Sequence, residues 1–108
     1  MTLSTHVLDA ASGRPAEGVA VTLERGTDDG WQPVADGRTD ADGRIGALGE
    51  PEAGVHRIRF DTGGYFAERG VPTFYPEVTV VFEVTDAQQH HHVPLLLSPY
   101  AFSTYRGS

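Results

Sequence analysis

Glu77-Val-Thr-Val-Val-Phe-Glu-Val84, Thr85-Asp-Ala87 and Gln88-Gln-His-His-His-Val-Pro-Leu-Leu-Leu97 form the stretch on which the fold turns. Val78, Val80, Phe82 and Val84 alternate with Glu77, Thr79, Val81 and Glu83, the period of two of a strand with one buried face. Thr85-Asp-Ala87 turns the chain into the next strand. Side chains alternate across a strand, so His91, Val93, Leu95 and Leu97 share one face and His90, His92, Pro94 and Leu96 the other. The first set is the natural core face. The second is too apolar around Pro94 and Leu96 for plain solvent, which predicts that another subunit covers it and that His92 lies within the covered surface.

Outward from this stretch the pattern repeats. Leu3-Ser-Thr-His-Val-Leu8 is an extended run that stops at the turn-forming Asp9-Ala-Ala-Ser-Gly-Arg-Pro15. Val19, Val21 and Leu23 alternate with Ala20, Thr22 and Glu24 as a strand. Asp28-Asp-Gly30 precedes Trp31-Gln-Pro-Val-Ala35, and Asp40-Ala-Asp-Gly43 precedes Arg44-Ile45, two hairpin signals with short strands beside them. Gly54-Val-His-Arg-Ile-Arg-Phe60 reads as a further strand. Asp61-Thr-Gly-Gly-Tyr-Phe-Ala-Glu-Arg-Gly70 predicts about two helical turns that end at a glycine before Pro72. Short strands at this spacing predict a single all-β domain over 1–108, an antiparallel β-sandwich with one short helix.

Composition narrows the partners. The chain has 108 residues, no cysteine and a formal net charge of −7. Disulfides, thiolate metal sites and a cysteine nucleophile are excluded together. An acidic balance argues against nucleic acid, because phosphate binding needs a basic surface. No stretch approaches the roughly 20 apolar residues of a membrane span, and Met1–His6 has neither a basic start nor an apolar core of a secretory signal. The expectation is a cytoplasmic protein whose partner is a small molecule or another chain.

Motifs limit the chemistry further. There is no Gly-x-Ser-x-Gly elbow, phosphate-binding glycine loop or dinucleotide fingerprint, so covalent serine catalysis, nucleotide hydrolysis and redox cofactors lack support. His90 and His92 on one face, with His6 as a third ligand, present a zinc spacing, but no cysteine or carboxylate partner is recognisable. Asp40-Ala-Asp-Gly43 resembles part of a calcium loop, yet Arg38 and Gly49 occupy that loop's first and final ligand positions. Taken singly, Arg44 reads as a solvated hairpin charge, His6 as a packed histidine, and Tyr105 and Arg106 as tail residues.

Taken together these residues carry a resemblance. Leu3-Ser-Thr-His-Val-Leu-Asp9, Gly37-Arg-Thr-Asp-Ala-Asp-Gly-Arg44, Phe74-Tyr-Pro-Glu-Val78, His92-Val-Pro-Leu-Leu-Leu-Ser-Pro99 and Tyr105-Arg-Gly-Ser108 resemble the 5-hydroxyisourate hydrolases, the transthyretin-like enzymes of urate breakdown. The likeness runs from end to end, and the closing tetrapeptide separates these enzymes from transthyretin, the hormone carrier of the same fold. It implies an eight-stranded sandwich with one short helix, assembled as a homotetrameric dimer of dimers with sites in a channel between subunits. It implies hydrolysis of the cyclic amide of a purine-derived substrate, with no cofactor and no metal. His6, Arg44 and His92 match the catalytic positions; Tyr105, Arg106 and Ser108, with His6 and Arg44, match the substrate-binding ones. His91 stands where many members carry tyrosine, and Ala101-Phe102 replaces a commoner Gly-Tyr, neither at a position of chemistry. The alternative is a non-catalytic carrier that uses the same channel.

Overall fold

Burial alternates residue by residue along the strands that build the core. In the structure, a computed structural model that describes residues 2–107, Leu3, Thr5, Val7 and Asp9 of β1 (Leu3–Asp9) are buried while Ser4, His6 and Leu8 are half-buried on the opposite face. β8 (His91–Ser98) repeats the pattern: His91, Val93, Leu95 and Leu97 face the core as the parity predicts. Its other face differs from expectation at Pro94, which is buried within the chain itself.

One sheet runs β2 (Arg14–Pro15), β1, β8, β9 (Ala101–Thr104), with β5 (Arg44–Ile45) sharing the β2 side of β1. The other runs β4 (Gly30–Arg38), β3 (Ala20–Thr27), β6 (Gly54–Phe60), β7 (Val78–Val84). Between them Leu3, Val7, Leu23, Ile58, Phe60, Leu95 and Leu97 are fully buried, each worth about 1.5–3 kcal/mol relative to an exposed side chain. The helix α1 (Thr62–Glu68) starts at Asp61, whose side chain accepts from Gly64 N–H, and packs Tyr65 and Phe66 onto the core.

One pairing departs from the antiparallel sandwich predicted. β1 pairs with β8 in parallel, Leu3 opposite His91 through Asp9 opposite Leu97, whereas the other strand pairs are antiparallel. The turn after β7 does not make a hairpin; it carries the chain from one sheet to the other, because β7 pairs only with β6. Asp9 fastens this arrangement. One carboxylate oxygen accepts from Ala11 and Ser12 N–H, and the other accepts from the buried Tyr65 hydroxyl at 2.9 Å. Burial and the Asp9 carboxylate both push the Tyr65 phenol pKa up, so the proton stays on the phenol.

His56 of β6 is the weak point of the core. Its Nδ1–H donates to Gly54 O at 3.1 Å, its ring stacks on Phe82, and its fully buried Nε2 has no partner. Burial first, then the neighbouring Arg25 and His91, holds its pKa below the usual 6.5 against the hydrogen bond to Gly54 O and the weaker pull of Glu52. In acid the unfolded chain takes a proton that the folded chain refuses, so stability falls as the pH drops below about 6.5. Replacing His56 by Phe is expected to make acid-side denaturant unfolding less steep in pH; an identical pH profile in both proteins would assign the acid sensitivity elsewhere.

Candidate active site on the outer face of β1, β5 and β8

Arg44 reaches β1 by way of a turn. Asp40 Oδ1 accepts from both Asp42 N–H and Arg44 N–H at 2.9 Å, and Gly43 O accepts from Val7 N–H at 2.7 Å. Gly43 has φ 74°, and a Cβ there would overlap the Val7 carbonyl, so only glycine allows the approach. The segment that resembles half a calcium loop is therefore an aspartate turn that delivers Arg44 to its strand.

Register then assembles the rest. His6 is opposite Arg44 on β5 and opposite Pro94 on β8, while Ser4, two residues earlier on the same face, is opposite His92. Thus Arg44, His6 and His92, 86 residues apart at the extremes, share one outward surface. Arg44 is exposed and makes no ion pair among the described residues, so its planar donors are free. His92 is half-buried, and burial, followed by the charges of His6, His90 and Arg44, pushes its pKa below the ordinary 6.5. It is a neutral imidazole at neutral pH, able to accept a proton.

Ser4 was not singled out by the sequence, because only the β1–β8 register reveals it. Its Oγ lies 2.8 Å from His92 Nδ1 and 2.9 Å from His90 Nε2. The position between the two histidines that a zinc reading assigns to metal is taken by a hydroxyl. Among the described residues no three His, Cys, Asp or Glu side chains come close enough to share a metal ion.

The C-terminal segment is shaped by Pro94. Continued past β9, the β8–β9 register places Pro94 opposite Tyr105 and His92 opposite Gly107. Pro94 has no N–H for the ladder, and its carbonyl is taken by the Thr104 hydroxyl at 2.7 Å. Pairing lapses at Tyr105 and Arg106 and resumes where Gly107 N–H donates to His92 O at 2.8 Å. Tyr105 and Arg106 line a cavity of about 230 Å³ between β7 and β8, walled by Val80, Phe82 and Val93. His92 borders this cavity; His6 and Arg44 do not line it. Arg106 donates to the Gln89 side chain at 3.1 Å, and Ser108 lies outside the described residues.

Gly107 is the second position where a side chain would be in the way. A Cβ there would overlap the His92 ring, so the bare backbone forms a wall against the imidazole. Gly107→Ala is expected to displace the ring or lift the segment off β8, at about 1–3 kcal/mol of unfolding free energy. Imidazole NMR signals of His92 that do not move in this variant would show that the contact does not set the ring.

The HIUase/Transthyretin family pattern matches residues 3–107. A 5-hydroxyisourate hydrolase of Salmonella typhimurium is 50% identical over 109 residues, covering 98% of this chain and 80% of that protein. The solved 5-hydroxyisourate hydrolase of Klebsiella pneumoniae superimposes with a TM-score of 0.88 at 38% identity, over 99% of this chain and 93% of that one. Sea bream transthyretin, solved in complex with thyroxine, superimposes with a TM-score of 0.93 at 37% identity, over 99% and 95%. With the family pattern spanning residues 3–107, half of the aligned residues identical over nearly the whole chain and the fold superimposing, this protein belongs to the HIUase/Transthyretin family.

Proposed function

We propose that the protein hydrolyses the cyclic amide of 5-hydroxyisourate, opening the six-membered ring to a ureidoimidazoline acid. Backbone likeness does not decide between hydrolase and carrier, since both kinds of relative superimpose closely. The outer-face chemistry carries the reading: a neutral imidazole, a second imidazole and an unpaired guanidinium on one surface suit proton transfer at a polar carbonyl. An apolar hormone would leave those polar groups desolvated and unpaired.

In this scheme His92 Nε2 takes a proton from water as the water oxygen attacks the ring carbonyl. Arg44 holds the carbonyl oxygen and stabilises the negative charge that develops on it. As the carbon–nitrogen bond breaks, its electron pair stays on nitrogen, which receives the proton from His92 Nε2. His6, next to Arg44 in the register, orients the water or the ring. Tyr105 and Arg106 bind the polar purine edge from the segment beside His92, and Ser108, which closes the same terminal motif in the sequence, is assigned to substrate binding with them.

A homotetramer, a dimer of dimers, is the working form we assign. β7 and β9 end their sheets with unpaired edges, and Val81, Tyr105 and Phe74 stand 59%, 60% and 71% exposed, a surface suited to a second copy. Placed between copies, the outer face of β1 and β8 would become a closed, water-poor site.

The direct test is the ultraviolet decay of 5-hydroxyisourate made in place by urate oxidase. Wild-type protein is expected to accelerate the decay, and a folded His92→Asn variant to lose about a hundredfold or more in kcat. A spontaneous rate unchanged by wild-type protein would remove the hydrolase reading and favour the carrier. Because the His92 pKa is lowered, its neutral form persists into mild acid, so the acid limb of kcat/KM should be centred below pH 6.5. An acid limb centred above pH 6.5 would assign the base to another group.

A further inference from the structure

Ser4 stands between two imidazoles with one proton to give. Its Oγ is 2.8 Å from His92 Nδ1 and 2.9 Å from His90 Nε2, and His90 Nδ1 is in turn 3.3 Å from Thr2 Oγ1. A hydroxyl gives one hydrogen bond and can accept two, so when Ser4 spends its hydrogen on one ring and accepts from the other, this row of groups has two states. In one, His90 Nε2–H donates to Ser4, Ser4 donates to His92 Nδ1, and neutral His92 carries its proton on Nε2. In the other every bond is reversed: His92 Nδ1–H donates to Ser4, Ser4 donates to His90 Nε2, and His92 Nε2 keeps a bare lone pair.

Of these two, the second leaves His92 able to accept a proton from water. Nδ1 is committed to Ser4 in both. The hydrogen bond at one ring nitrogen decides which nitrogen carries the proton, so the partner of Nδ1 sets the chemistry of Nε2. Ser4 can receive the Nδ1 proton bond while passing its own hydrogen to an acceptor, and His90 Nε2 is that acceptor. His6 and Arg44 contribute charge around His92 but make no hydrogen bond to its ring among the described residues.

We propose that Ser4 and His90 are positioning residues that hold His92 in the tautomer with hydrogen on Nδ1, so that Nε2 is the base for the attacking water. The choice of tautomer and the role of Nε2 rest on the hydrolase reading; the hydrogen-bonded row of His92, Ser4 and His90 rests on the geometry of the three side chains. During the reaction one proton moves from water to Nε2 and then to the leaving nitrogen, while the Nδ1 hydrogen stays directed at Ser4. His92 therefore returns to its starting form without tautomer exchange.

Long-range proton–nitrogen NMR of the imidazoles, on the full-length substrate-free protein, reads the tautomer directly. At about pH 8, where free imidazole is neutral, wild-type His92 is expected to carry hydrogen on Nδ1. Ser4→Ala and His90→Phe should move it to Nε2, and Ser4→Thr, which keeps the hydroxyl, should leave it on Nδ1. In 5-hydroxyisourate turnover the first two variants should lose about 10- to 100-fold in kcat with little change in KM, and Ser4→Thr should stay near wild type. Wild-type His92 protonated on Nε2, or full kcat in folded Ser4→Ala, would overturn the proposal. Wild-type protein that leaves 5-hydroxyisourate decay unaccelerated would instead remove the hydrolase reading, with the NMR result still deciding the tautomer.

Discussion

The parallel pairing of β1 with β8 is the constraint from which the rest follows. It joins the first strand to one near the other end of the chain, with seven residues of each in register from Leu3–His91 to Asp9–Leu97. Parallel neighbours need a long connection between them, and here that connection includes the whole second sheet and the helix. The Thr5 hydroxyl donates to Val93 O at 2.6 Å inside the same seam, and Asp9 extends the tie to α1 through Tyr65. Burial on one face makes the register strict, since a slip by one residue would turn Leu95 and Leu97 to solvent.

That strictness has a second effect on the opposite face. The step of two that buries Val93, Leu95 and Leu97 also presents His92 outward, and the same step on β1 presents Ser4 and His6. Core packing and site geometry are therefore set by one register. The glycines at 43 and 107 serve this surface in a complementary way, each allowing backbone to come where a Cβ would strike Val7 or His92. Pro94 adds an interruption in the ladder that frees Tyr105 and Arg106 from β8 without detaching the segment beyond them.

Much of this was legible in the residues. Alternation fixed the faces of β7 and β8, the aspartate–glycine signals marked the turns, and the glycine before Pro72 marked the end of the helix. Pairing was less legible, because local pattern carries no information on which strand lies beside which. Hence neither the parallel β1–β8 seam nor the change of sheet after β7 was read from periodicity. Ser4 is the site residue most affected. Its partners are 86 and 88 residues away, so nothing near it in sequence marks it. The family likeness named His6, Arg44 and His92, but the register explains why they are neighbours.

The separation of Ser4 from His92 also has a kinetic side. Joining two points 88 residues apart costs chain entropy that no local contact offsets, so this seam belongs to the slow, non-local class of folding events. No half-folded chain that lacks the seam brings His6 and His92 together. The site thus exists only in the fully zipped molecule, and its chemistry is a reporter of the completed fold rather than of any part of it.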